Sequence, residues 1–133
     1  MTEAEGSQRA VRVAIVDDDP FVVQALRSYL SSSPQIEVLS TFTSARDLLA
    51  FLKRIPVDVL VSDVRMPGMD GLELLARVQE QHPRTAVVML TSFDDDSAML
   101  TALSQQANGF LLKDSSPEDV IRAVIAAHSG GTT

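Results

Sequence analysis

The chain has 133 residues, of which 45% are hydrophobic and 22% charged, a size and balance that fit one globular domain with a single core and require no second. Its 18 acidic residues against 11 basic ones leave a formal charge of -7, which opposes binding to nucleic-acid backbones, and the lack of Cys excludes disulfides, thiolate metal sites and Cys nucleophiles together. No apolar run approaches the roughly 18 residues that cross a bilayer, and the polar, acidic start Met1 to Gln8 lacks the basic-then-apolar pattern of a secretory leader, so a cytoplasmic protein with no membrane partner is expected.

Residues 1–9 are polar and aperiodic, and are expected to be disordered. A first strand is predicted at Val11 to Val16, running out into Asp17-Asp18-Asp19. Asp19-Pro20 then opens a helix, because a capping carboxylate precedes a Pro whose missing N–H costs nothing at the first helical position. The apolar stripe of that helix is Val22, Leu26, Tyr29 and Leu30. The second strand, Ile36 to Phe42, alternates in part and is expected at a sheet edge. Ser44 and Asp47 have capping-box spacing before a helix marked by Leu48, Leu49 and Leu52. The third strand, Val57 to Ser62, leads into Asp63 and the turn Met66-Pro67-Gly68, and the helix beyond carries Leu74, Leu75 and Val78. The fourth strand, Ala86 to Thr91, ends at Thr91-Ser92. Asp94-Asp95-Asp96 is read as capping and solvation of the fourth helix, not as metal ligands, and that helix carries Met99, Leu100 and Leu103. The fifth strand, Gly109 to Leu112, runs into Lys113, and Ser116-Pro117 opens a fifth helix with Val120, Ile121, Val124 and Ile125. Ser129 to Thr133 has the composition that begins a linker, so residues 10–128 are expected to form the folded domain.

Most of these strands are apolar on both faces, the pattern of a parallel sheet covered by helices on each side. Five βα units with right-handed crossovers give an α/β fold: a doubly wound five-stranded parallel sheet with five helices, in strand order 2-1-3-4-5. Ligands of such sheets bind at the carboxyl ends of the strands. There the sequence delivers Asp17, Asp18, Asp63, Thr91 and Lys113 from four separate strands. Each has a plain structural reading: Asp17 and Asp18 as solvated loop charges, Asp63 as a turn former, Thr91 as a strand-end hydroxyl, Lys113 as an exposed lysine, and Asp19 beside them as a helix cap. Their convergence favours a site. Crowded carboxylates need a cation to offset their repulsion, and a hard ion such as Mg²⁺ would keep positions open for phosphoryl oxygens.

Four segments in order, VAIVDDDP, VLVSDVRMPGMDGLELL, VVMLTSF and GFLLKD, resemble the receiver domain of two-component response regulators, and DVRMPGMDG with FLLKD is similar to the NarL/FixJ (LuxR-type) branch. The resemblance implies a flavodoxin-like receiver fold, and it also supplies the strand order given above. It implies that Asp63 accepts a phosphoryl group from a phosphohistidine of a sensor histidine kinase. Asp17, Asp18, Asp63 and the backbone carbonyl of Arg65 would hold Mg²⁺, with Mn²⁺ as a substitute. Thr91 would bond one phosphoryl oxygen and Lys113 pair with another. Thr91 and Phe110 would form the switch, with homodimerisation on phosphorylation. The domain would be no enzyme beyond Mg²⁺-dependent phosphorylation and dephosphorylation of Asp63. DNA would be bound only through a helix-turn-helix output domain beyond the linker, so that phosphorylation would control transcription. Two positions depart from the branch: Phe110 replaces a common Tyr, and Gln106 replaces a Gly after the fourth helix. A phosphatase or phosphotransferase with Asp63 as nucleophile is the rival enzyme reading, but such enzymes carry an acid two positions on, where this chain has Arg65. A receiver that is never phosphorylated is the other rival, and such members have usually lost an acidic-pair residue or the lysine.

Overall fold

The computed structural model describes residues 9–92 and 95–130. Strands and helices alternate throughout: β1 Val11–Val16, α1 Pro20–Ser31, β2 Ile36–Phe42, α2 Ala45–Leu52, β3 Val59–Asp63, α3 Gly71–Gln81, β4 Ala86–Thr91, α4 Asp96–Ser104, β5 Gly109–Leu112 and α5 Pro117–His128. Apart from Arg9, the segment expected to be disordered lies outside the described residues, as do residues 131–133 of the linker-like run and Asp94.

All four strand pairings are parallel and the order is β2-β1-β3-β4-β5, as the sequence leads one to expect. Successive strand residues face opposite ways, so each strand feeds two cores. On one face Val13, Ile15, Val59, Val61 and Leu90 meet Leu26 and Leu30 of α1 and Val120 and Val124 of α5. On the other, Ala14, Val16, Leu60, Val87 and Met89 meet Leu48 and Leu52 of α2, Leu74, Leu75 and Val78 of α3, and Ala102 of α4. Each fully buried Val or Leu contributes roughly 1.5–3 kcal/mol relative to exposure, so the two layers hold the sheet from both sides. β2 lies at the edge, and its register on β1 slips between Val13 and Ala14, which face Val38 and Ser40.

Three expectations need correction. β3 starts at Val59 rather than Val57, since the Arg12 N–H is taken by the Asp58 carboxylate (2.9 Å) and the Val57 carbonyl by the Thr85 hydroxyl (2.8 Å), and it runs on to Asp63, which pairs with Leu90 of β4. The stripe expected for α1 omits Val23, which is buried with Leu26 and Leu30, while Val22 and Tyr29 pack partly buried against the same core. In α4 the apolar stripe faces the wrong way: Ala102 is buried, whereas Leu100 and Leu103 are 65% and 51% exposed. The small Ala lets α4 lie against the sheet, and the leucines sit on the neighbouring, outward side. Among the described residues no helix is long and apolar enough to cross a membrane.

Caps fix where the helices start. Asp19 accepts the Phe21 N–H at 2.9 Å, Ser44 that of Asp47 at 3.4 Å, Asp70 that of Glu73 at 2.9 Å, and Ser116 that of Asp119 at 3.1 Å. Each satisfies a first-turn donor that has no partner within the helix. Asp19, read from the sequence as a cap, is one.

Candidate functional site

Parallel strands point the same way, so their carboxyl ends form one edge, and the site is assembled there. Asp17 follows β1, Asp63 is the last residue of β3, Thr91 is the last of β4, and Lys113 follows β5. Two main-chain bonds tie these ends together: Asp17 N–H donates to the Phe42 carbonyl (3.1 Å), and Lys113 N–H donates to the Thr91 carbonyl (2.9 Å). The second links the hydroxyl and the amine expected to share a ligand.

The charged groups sit deep. Asp17 is 0% and Asp63 2% exposed, yet both carry carboxylates, whose burial costs several kcal/mol unless compensated. The Lys113 ammonium supplies part of the compensation, standing 3.2 Å from Asp63 Oδ2 and 3.5 Å from Asp17 Oδ2. Main-chain donors supply more: Asp63 Oδ1 accepts from Arg65 N (3.2 Å), and Asp17 Oδ1 accepts from Asp19 N (2.9 Å). Asp17 Oδ2 is left over. It is fully buried and receives no hydrogen bond, since the Lys113 contact at 3.5 Å is an ion pair too long to count as one.

Oxygens of Asp17, Asp18 and Asp63 all lie within 4.8 Å of one another, with Asp18 exposed at the mouth and the other two buried. Burial raises the Asp17 carboxyl to about 6, against the bond from Asp19 N–H, with the Asp63 charge adding to the rise. Asp63 is also raised, first by burial, although the Arg65 N–H and Lys113 oppose it. Burial acts to lower the Lys113 ammonium, but the facing charges of Asp63 and then Asp17 outweigh it and hold it above its usual value. Three clustered carboxylates, two pushed toward neutrality and one oxygen without a donor, fit a hard cation bound through oxygen. The pocket is acidic and compatible with metal binding.

Thr91 is buried at the same edge, with its hydroxyl donating to the Ser92 carbonyl at 3.3 Å. Phe110 lies opposite Met89 in the β4–β5 pairing and is half-buried on the α2–α3–α4 side of the sheet. Every expected site residue thus lies on or beside the carboxyl edge except Phe110, which sits further back along β5.

Two participants were not evident in the sequence. The Arg65 guanidinium forms a two-bond ion pair with Asp95 (2.8 and 3.1 Å), a contact that the expectation of capping and solvation for Asp95 does not include. Asp96, the exposed first residue of α4, does fit the dipole reading. Gly71, the first residue of α3, packs directly on the Asp63 main chain, and its N–H donates to the Val64 carbonyl at 2.8 Å. The signal for it was available: Asp70 and Glu73 have capping-box spacing, which places Gly71 where α3 leaves the β3 edge.

The transcriptional regulatory protein LnrK of Bacillus subtilis is 32% identical over 121 residues, which span 91% of this chain and 55% of LnrK. The nitrate/nitrite response regulator NarL of Escherichia coli is 28% identical, over 93% of this chain and 57% of NarL. The chain therefore spans about half the length of the curated relatives it matches. Among solved structures, the signal receiver domain of NarL from Mycobacterium tuberculosis superposes with a TM-score of 0.85 at 34% identity, covering 92% of this chain and 98% of that domain. The isolated receiver domain of RcsB from Salmonella enterica serovar Typhimurium, solved with the phosphomimetic BeF3⁻, gives a TM-score of 0.83 at 26% identity over 92% and 91%. The family model for the response regulator receiver domain matches residues 13–125, from within β1 to within α5, and the chain belongs to that family, with relatives of the NarL/LuxR type.

Proposed function

We propose that this domain is a phosphorylation-activated switch in which Asp63 accepts a phosphoryl group from a phosphohistidine of a sensor histidine kinase. One observation carries the reading: the Lys113 ammonium stands 3.2 Å from Asp63 Oδ2 and 3.5 Å from the buried Asp17 Oδ2, and the latter oxygen receives no hydrogen bond. Such a pocket is short of positive charge, which suits a Mg²⁺ ion together with an incoming phosphoryl group.

In the proposed step a carboxylate oxygen of Asp63 attacks phosphorus, the P–N bond breaks, and its electron pair leaves with the imidazole nitrogen. The product is an acyl phosphate. Asp17, Asp18, Asp63 and the backbone carbonyl of Arg65 hold Mg²⁺, or Mn²⁺ in its place, and the cation supplies charge neutralisation for the phosphoryl oxygens. Lys113 pairs with one of those oxygens as a point charge, and Thr91 donates its hydroxyl to another. This is self-phosphorylation and its reversal, not turnover of a substrate.

Thr91 and Phe110 relay the added charge. Phe110 acts through packing alone, because it has no phenol to bond with. Homodimerisation follows, through the face of α4, β5 and α5 or that of α1 and α5; the outward Leu100 and Leu103 favour the first. Residues 129–133 begin a linker to a helix-turn-helix domain that binds DNA and controls transcription in the cytoplasm. The receiver itself, at a formal charge of -7, does not bind DNA.

Incubation with Mg²⁺ and acetyl phosphate, followed by intact-mass measurement, tests the reading. One added phosphoryl group in the wild type and none in Asp63→Asn supports it. No adduct with any donor or kinase would favour a receiver that works unphosphorylated.

A further inference from the structure

Arg65 engages different partners through its two ends. Its main-chain N–H donates to Asp63 Oδ1, while its guanidinium meets Asp95 with Nε on Oδ2 at 2.8 Å and Nη2 on Oδ1 at 3.1 Å. A paired fork of this kind fixes both side chains in one geometry, which a lysine cannot do. The two residues belong to different connections, Arg65 to β3–α3 and Asp95 to β4–α4. Asp95 also begins the first turn of α4, its carbonyl accepting from Met99 N at 3.2 Å. Arg65 lines an open cleft with Asp18 and Asp70, at the rim of the carboxylate cluster. The guanidinium is thus tethered beside the site by an acid that leads into α4.

We propose that Asp95 is a positioning residue for Arg65, and that the pair is a latch which phosphorylation opens. The inference rests on Asp63 being the phosphoacceptor and adds a route by which the added charge reaches α4. A phosphoryl group brings nearly two negative charges and three acceptor oxygens to within two residues of Arg65, and a guanidinium pairs with phosphate as readily as with carboxylate. The new anion competes with Asp95 for Arg65 and repels Asp95. Once the latch opens, the first turn of α4 loses its tie to the loop after Asp63. Coupling is reciprocal, so Asp95 opposes occupancy of the site by as much as occupancy opposes the latch. For an exposed ion pair that amounts to about two- to fivefold in affinity.

The test uses the full 133-residue chain as wild type, Asp95→Asn, Arg65→Ala and the double variant. Beryllofluoride with Mg²⁺ serves as the phosphoryl mimic, its affinity measured by titration and the amides of residues 95–100 followed by hydrogen exchange. Asp95→Asn is expected to bind about two- to fivefold more tightly, and this gain shrinks when Arg65 is absent. Exchange at the start of α4 is expected to speed up in both single variants, and in the wild type on adding beryllofluoride. Equal gains with and without Arg65 would mean that Asp95 acts by charge alone, and would overturn the latch. Unchanged exchange in the loaded wild type would overturn it too. A wild type that takes up neither beryllofluoride nor a phosphoryl group from acetyl phosphate loses the phosphoacceptor reading and the latch together, whereas uptake with an additive cycle removes the latch alone.

Discussion

The first residue of α3, Gly71, presses on the main chain of Asp63 so closely that a Cβ at Gly71 would stand 2.8 Å from the Asp63 carbonyl carbon and from Val64 Cα. The neighbour is backbone at the end of a buried strand, so it cannot swing aside as a flexible side chain would. Gly71→Ala is therefore expected to destabilise the domain by about 1–3 kcal/mol through overpacking, and to slow phosphoryl uptake by displacing Asp63. Urea unfolding and acetyl phosphate uptake measure the two effects. Wild-type values for both would show that the close approach is unimportant. Gly68 contrasts with it: open space surrounds it, but its φ of +81° in the Pro67-Gly68 turn is one that a side chain strains.

Lys113 is the cation shared by Asp63 and Asp17. Its removal takes away a charge-assisted hydrogen bond worth about 1.5–3 kcal/mol. Lys113→Ala is expected to lower the steady-state level of the Asp63 adduct by roughly tenfold or more, since about 1.4 kcal/mol is a factor of ten. Lys113→Arg restores the charge with a different shape, and partial recovery is expected. Intact mass over a time course distinguishes the variants, and an unaffected Lys113→Ala would remove the lysine from the site.

The carboxylates make a pH dependence with a definite sign. Asp17 is raised from 3.8 to about 6 and Asp63 is raised as well, so the folded state holds these protons more tightly than the unfolded chain does. Without metal, stability is greatest below the unfolded value and is lost as pH climbs through the folded one, from about pH 4 to pH 7. The loss traceable to Asp17 is on the order of 3 kcal/mol. Urea unfolding in EDTA should therefore give a lower midpoint at pH 7.5 than at pH 5. Millimolar Mg²⁺ should recover the midpoint at pH 7.5 and have little effect at pH 5, where protons compete for the ligands. Asp17→Asn should flatten the metal-free profile. A midpoint rising between pH 5 and pH 7.5 in EDTA would contradict the arrangement.

Gln106 takes the left-handed position after α4, with φ +63°. Its N–H donates to the Leu103 carbonyl (2.9 Å), and that of Ala107 donates to Ala102 (3.2 Å), the two bonds of a Schellman ending. A non-Gly residue there costs about 1–2 kcal/mol, offset in part by the extra freedom that Gly has when unfolded. Gln106→Gly is expected to raise stability by up to about 1 kcal/mol in urea unfolding, with the phosphorylation rate unchanged.

The sequence made the site legible through topology. Once five apolar runs are read as parallel strands, whatever follows each run must gather at one edge, and Asp17, Asp18, Asp63, Thr91 and Lys113 are found there. Gln106 was also visible as a departure, and its backbone explains why Gly is usual at that position. The Arg65–Asp95 pair was not visible, because two residues 30 apart on surface loops leave no periodic mark. Val22 and Val23 could not be told apart because a helix turns only about 100° per residue, so neighbours share the rim of one stripe. The α4 leucines misled for a related reason. Hydrophobic spacing marks an apolar stripe but not whether the sheet or the solvent receives it, and here the small Ala102 takes the sheet.

The phosphoacceptor assignment is tested most directly by the intact mass of the domain after incubation with Mg²⁺ and acetyl phosphate. The expected result is one phosphoryl group on the wild type, lost in EDTA and absent from Asp63→Asn. An adduct of equal yield in Asp63→Asn, or none in the wild type with any donor or kinase, would contradict it.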